Sequence, residues 1–120
     1  IALQLRTQEQ QGEAAHILLN VSNLAWYGDS IAIPQHLQIS QMRAMETGRP
    51  MFRSTNTGAT AIIDANGQVL TKLASQTQAT LSGSVQGMTG LTPYVRFGDA
   101  IAAFLAAIAL LIAWRVGRRA

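Results

Sequence analysis

The sequence contains no cysteine, which removes any disulfide framework from a domain of this length. Charge is scarce at 12% of residues and aromatics at 6%. There is no Gly-x-Ser-x-Gly elbow, no His-Glu-x-x-His pair and no Walker loop, so the common hydrolase, zinc and nucleotide constellations cannot be assembled. No residue set suits a metal, and no cofactor is called for. The opening IALQLRTQ has no Met, no basic leader and no apolar core. No signal peptide is read there, and Ile1 is expected to continue a longer chain.

A net charge of +3 and an isoelectric point near 10.2 suggest a nucleic-acid binder at first sight. Residues 1–99 carry six basic groups (Arg6, Arg43, Arg49, Arg53, Lys72, Arg96) and six acidic ones (Glu9, Glu13, Asp29, Glu46, Asp64, Asp99), which cancel. The whole excess is Arg115, Arg118 and Arg119. It is therefore a topology signal, and no nucleic-acid partner is expected.

What is present in quantity is apolar. Ala100 to Trp114 reads AIAAFLAAIALLIAW, fifteen residues without a charged side chain. A surface helix buries one stripe, so a helix apolar on every face is either a core helix or a membrane span. The run alone covers ~22 Å, short of a hydrocarbon layer of ~30 Å. With Phe97 to Val116 counted the span reaches about twenty residues. Tyr94, Phe97 and Trp114 sit where interfacial aromatics belong, and the arginines can snorkel to headgroups. Arginine bias then puts the tail in the cytoplasm and residues 1–96 across the membrane.

Upstream, IALQLRTQEQQGEAA is rich in helix formers, with Ile1, Ala2 and Leu5 for one face and an end near Gly12 or Ala15. His16 to Val21 reads as a buried strand, with His16 at its edge. Asn23 to Ile33, broken by Gly28, Asp29 and Ser30, reads as a loop after that strand, carrying Trp26 and Tyr27. Loops at the carboxyl ends of strands in α/β sheets are where ligands bind. A helix is expected from Pro34, with Ser30 as a possible cap, Leu37, Met42 and Met45 toward the core, Glu46 inward and Gly48 as the stop. His36 points either into the preceding loop or to solvent. MFRST, ATAIID and QVLTKLA read as strands, the last two joined by an Asn66-Gly67 turn. ATLSGSV reads as one more strand, and QGMTGLTPYVRFGD as a connector into the apolar run. The class is α/β, as an incomplete layer.

Three stretches carry a resemblance: NVSNLAWYGDS, QHLQISQMRAMETGRPMFRSTNTGATAIID and GLTPYVRFGD. Together they resemble the C-terminal part of the apolipoprotein N-acyltransferase family, within the nitrilase (carbon–nitrogen hydrolase) superfamily. The resemblance implies the C-terminal part of a periplasmic αββα sandwich over residues 1–86, a connector over 87–98, one transmembrane helix over 99–116 and a cytoplasmic basic tail over 117–120, in a bacterial inner membrane. It implies ping-pong acyl transfer from a phospholipid donor to the α-amino group of a diacylglyceryl-cysteine lipoprotein acceptor. The family's Cys nucleophile, Glu base and Lys are expected upstream of Ile1, so no catalytic residue is expected in this chain and the fragment alone is expected to be inactive.

The resemblance also implies that Trp26, Asn23 and Tyr27 line the substrate side of the pocket, with Ser22, Ala25 and Gly28 matching the same motif. Tyr27 stands where the family has Phe, and Leu24 where it usually has Asp. Glu46, Asn56 and Gly58 are implied as structural residues near the site, with turn chemistry sufficient for Asn56 and Gly58. Two other classes compete: a membrane-tethered nitrilase-like binding domain without chemistry, and an amidase acting on small amides. Soluble amidases of that type do not end in an apolar helix with an arginine tail.

Overall fold

The computed structural model describes residues 2–118. The expectations for Ile1 on a helix face and for Arg119 in the tail lie outside the described residues, as does the side chain of Ala2. Helix α1 (Ala2–Gln11) stops at Gly12, whose φ of 74° is the left-handed turn that glycine tolerates. Leu5 is its buried contact, 3% exposed.

Four strands form one sheet in chain order: β1 (Leu18–Ser22), β2 (Met51–Thr55), β3 (Ala61–Ile63) and β4 (Val69–Lys72). β1 and β2 are parallel, joined through helix α2 (Ala32–Thr47), and the rest of the sheet is antiparallel. The face toward α2 holds the core: Leu37 and Ala44 of the helix against Met51, Ala61 and Ile63, with Ala59 and the half-buried Leu18 and Val69.

α2 starts at Ala32, two residues before the expected Pro34. Proline is tolerated anywhere in a first turn because those N–H groups have no intrahelical partner. Ser30 contributes its carbonyl, which accepts from Ile33 N–H at 3.2 Å, and no side chain caps the helix. The helix stops at Gly48 as expected, with φ 61° and its N–H on the carbonyls of Ala44 and Met45.

Met42 and Met45 correct the sequence reading, since each is 55% exposed. The buried stripe runs Ile33, Leu37, Ser40, Ala44, Thr47. At about 100° per residue, Met42 lies roughly 140° around the helix from Leu37. β1 is a second correction. Its buried strand is open on one face, with Leu19 and Val21 each 74% exposed, because only the α2 face of the sheet is filled there.

ATLSGSV forms no strand. At Gln76 the backbone takes a positive φ of 59° and turns the chain back over the sheet. Gly83 then lies so close to Ile62 that an added Cβ would meet Cδ1 at 2.5 Å. The segment covers the face opposite α2 instead of extending the ladder. The connector contains a short helix that sequence reading missed, α3 (Pro93–Phe97), capped by Thr92. Helix α4 (Ala100–Gly117) follows, long and apolar enough to cross a membrane, and none of its described residues is buried.

Candidate functional site

The carboxyl ends of parallel β1 and β2 lie side by side, Ser22 level with Thr55, and both strands run directly into polar loops. Asn23 follows the first and Asn56 the second. Their side chains clasp, the Asn56 amide donating to Asn23 Oδ1 at 2.8 Å. Each carbonyl oxygen then holds the neighbouring backbone. Asn23 Oδ1 accepts from Ala25 N–H at 3.0 Å, while Asn56 Oδ1 accepts from Leu24 N–H at 2.9 Å and from Thr57 N–H at 2.9 Å. Two short amide side chains therefore replace the ladder that ends here, which is the role Asn plays in turns.

Leu24 lies between them and is 1% exposed. An added Cβ on Gly58 would stand 2.5 Å from Leu24 Cδ1 and 3.3 Å from Thr55 Oγ1, so a larger residue here would have to displace the end of the buried Leu24 side chain. Leu24 is thus an apolar plug. It anchors a single 3₁₀ turn, Ala25–Tyr27. Trp26 projects from that turn with 87% of its surface exposed. Tyr27 turns back against His36, ring centroids 5.8 Å apart at 47°. His36 therefore faces the loop. Gly28 closes the turn at φ 55° and donates to the Ala25 carbonyl.

Beside the clasp lies a cleft of about 350 Å³ lined by Val21, Ser22, Asn23, Ser54, Thr55 and Asn56. A larger groove of about 650 Å³ runs along the opposite sheet face between Leu19, Phe52 and Ile62 and the returning segment 76–81. The cleft offers amides and hydroxyls, and the loop offers an indole. The cleft lining holds no carboxylate, and the sequence has no cysteine to supply a thiol. Among the described residues no group of three His, Cys, Asp or Glu side chains is placed to hold a metal.

The structure thus brings Asn23, Leu24, Trp26, Tyr27, Asn56 and Gly58 together. Glu46 is elsewhere. It sits in the last turn of α2, roughly 20 Å along the helix from the end that receives the loop. There its carboxylate pairs with the exposed Arg43, and at about 100° per residue it lies roughly 180° around α2 from the buried Leu37, so its expected inward placement is corrected together with that of Met42.

Sequence reading passed over two buried arginines. Arg53, 2% exposed, lies under α2 on the central strand, and its Nη1 donates to Ser40 Oγ at 2.6 Å and Asn20 Oδ1 at 3.2 Å. Its Nε and Nη2 have no partner among the described residues, and burial lowers its pKa from the usual guanidinium value. Arg49, 1% exposed, holds backbone carbonyls instead. Alternation along MFRST, which puts Arg53 on the same side as Met51, was the available signal for the first.

Residues 3–94, covering α1, the sheet, the clasp and the start of α3, match the carbon-nitrogen hydrolase family. The chain belongs to that family. Among curated relatives of this carbon-nitrogen hydrolase chain, a protein of Ralstonia nicotianae named apolipoprotein N-acyltransferase is 53% identical over 120 residues, all of this chain and 22% of the relative. A Nitrosomonas europaea protein of the same name is 58% identical over 97 residues, 81% of this chain and 20% of the relative. One from Bordetella bronchiseptica is 53% identical over 105 residues, 88% of this chain and 19% of the relative. The chain spans about a fifth of the length of these relatives.

Proposed function

We propose that these residues are part of an apolipoprotein N-acyltransferase. The enzyme would move an acyl chain from a phospholipid to the α-amino group of an N-terminal diacylglyceryl-cysteine. The observation that carries the reading is the 53% identity to a relative of that name over all 120 residues, apolar helix included.

In this reading residues 1–86 complete a periplasmic αββα domain and the connector 87–98 leads into one transmembrane helix. The helix corresponds to α4, Ala100–Gly117, one residue later at each end than the pattern of 99–116 suggested. The tail lies in the cytoplasm of a bacterial inner-membrane enzyme. Arg118 lies over the Trp114 ring at 3.9 Å, an arrangement suited to an interfacial belt.

The chemistry runs in two steps. A cysteine thiolate outside this chain attacks the phospholipid ester carbonyl, and the released alkoxide takes up a proton as lysophospholipid. The lipoprotein amine then attacks the thioester, loses its proton to a base and expels the thiolate. The part of these residues is to shape the acceptor side. Trp26 forms the wall on which acyl chains or the first lipoprotein residues pack, Asn23 and Asn56 fix its loop, and Tyr27 is steadied by His36.

The test uses the full-length protein with phospholipid and a diacylglyceryl lipopeptide. Trp26→Ala is expected to slow thioester formation or amine transfer about tenfold, equivalent to about 1.4 kcal/mol. Residues 1–120 alone are expected to transfer nothing. Unchanged rates in both half-reactions would remove Trp26 from the pocket, and transfer by the isolated residues would show that a nucleophile lies within them.

A further inference from the structure

The segment between the sheet and α4 is held at four places, and at one of them a buried arginine is the partner. Met88 N–H donates to the His16 carbonyl at 3.1 Å. Gly90, with φ at 83°, is gripped from both sides, its N–H on Glu9 Oε1 at 3.0 Å and its carbonyl on Arg49 Nη2 at 2.9 Å. Thr92 Oγ1 donates to the Glu46 carbonyl at the end of α2, accepts from Val95 N–H, and packs its methyl against Gly48, where an added Cβ would stand 2.9 Å away. Val95 of α3 is 1% exposed. The connector is therefore bolted to α1, to the lead-in of β1 and to the end of α2.

Arg49 acts at one of these places, Gly90, and ties it to Glu9 of α1 and to Ala15 ahead of β1. It lies two residues past the end of α2. Nε reaches the Ala15 carbonyl at 2.7 Å, while Nη2 takes the Gly90 carbonyl and lies 3.5 Å from Glu9 Oε2. A guanidinium presents its donors in a rigid fork and keeps its charge when buried, so it can bind two carbonyls and a carboxylate at fixed angles, which a lysine cannot do. From Gly90 the chain has only α3 and the Gly98 turn before α4 begins at Ala100.

We propose that Arg49 is a positioning residue that fixes the seat of α4 against the α/β domain, and so sets the depth at which the Trp26 loop meets a lipid-embedded acyl donor. The inference rests on the acyltransferase reading. It concerns only donors held in a bilayer. A water-soluble short-chain ester reaches the same thiol without regard to how the domain is seated.

The experiment uses the full-length protein reconstituted in phosphatidylethanolamine-containing vesicles, with a short-chain soluble ester as the second donor. Arg49→Ala is expected to lower kcat/KM for the vesicle phospholipid at least about tenfold, because small misplacements of bound groups cost that much or more. Turnover of the soluble ester is expected to stay within about twofold, and Arg49→Lys, which keeps charge but not the fork, to fall between. Amide hydrogen exchange provides a second readout without chemistry, with Met88 and Gly90 losing protection in Arg49→Ala while β2 and β3 keep theirs. Equal losses with both donors, no loss with either, or unchanged exchange at Gly90 would overturn the proposal. A wild-type protein that acylates from neither donor would overturn the acyltransferase reading, and the exchange measurement would still decide whether Arg49 seats the connector.

Discussion

Asn56 carries more of the loop than any neighbouring side chain, because its carbonyl oxygen holds Leu24 N–H and Thr57 N–H while its amide holds Asn23. Asn56→Ala leaves the Leu24 amide without its acceptor and is expected to cost about 1–3 kcal/mol of stability. Asn56→Asp keeps that acceptor but sets a carboxylate oxygen against Asn23 Oδ1, so its loss is expected to come from the Asn23 side of the clasp, through the lost bond and the repulsion between two acceptors. Denaturant titration of the full-length protein followed at Trp26 orders the two. Gly58→Ala is expected to cost about 1–3 kcal/mol by overpacking against Leu24. Shortening Leu24 in the same chain should restore part of it, a coupling that a double-mutant cycle reads. Little of this was legible beforehand. The family motif pointed to Asn23, Trp26, Asn56 and Gly58 one by one, but the bond from the Asn56 amide to Asn23 joins positions 33 apart in sequence, a distance over which no local pattern operates. Arg53 was missed for a related reason. A charged residue reads as solvated until the partner that buries it, here Ser40 on another element, is known.

Among the elements, those specified by local chemistry were read well and those specified by what lies above them were not. The Asn66-Gly67 turn announced its hairpin, and Gly48 its helix end. The turn also does something its dipeptide does not reveal: Gln41 Nε2 donates to the Gly67 carbonyl at 2.8 Å, tying the hairpin tip to α2. An added Cβ at Gly67 would stand 2.8 Å from the Gln41 carbonyl oxygen, and its φ is 79°. Gly67→Ala is therefore expected to cost more than the ~1 kcal/mol of an ordinary glycine replacement, whereas Asn66→Ala, which gives up only a 3.4 Å side-chain bond to Asp64, is expected to cost less; thermal unfolding separates them. ATLSGSV has strand-like composition, yet a strand exists only where a neighbour offers a ladder. The Gln76 reversal takes the segment away from β4. The methionines of α2 were misplaced by the opposite error, in which composition was trusted over the helix's own angular arithmetic.

For the whole molecule the deciding feature is how much apolar surface faces outward. Leu19 and Val21 stand open on one sheet face, and α4 exposes Phe104, Leu105, Leu110 and Leu111. Large exposed apolar surfaces mark interaction or membrane sites. If α4 spans the bilayer, Leu110→Arg places a charge near its middle and is expected to make insertion less favourable by about 2.5–3.5 kcal/mol. A C-terminal topology reporter on the full-length protein measures the shift, and unchanged insertion would argue against a spanning role for α4. The apolar run, its arginine-rich end and the balanced charge ahead of it were all legible from composition. The five-residue α3 was not, because its formation depends on the Thr92 cap and on burial of Val95 between α1 and α2.

The order of the strands also has a consequence in time. Because β1, β2, β3 and β4 are neighbours in the order in which they are synthesised, each strand finds its partner in the one made just before it, β1 and β2 across helix α2 and the later pairs across short loops whose closure is entropically cheap. The contact between Glu9 and Gly90 is different in kind, joining positions 81 apart. It cannot form until the sheet is laid down and the connector has emerged, when α4 is the next segment to follow. A nascent chain stopped short of residue 90 should therefore carry a paired sheet on an unclosed ring, and the ring should close as the apolar helix is being delivered.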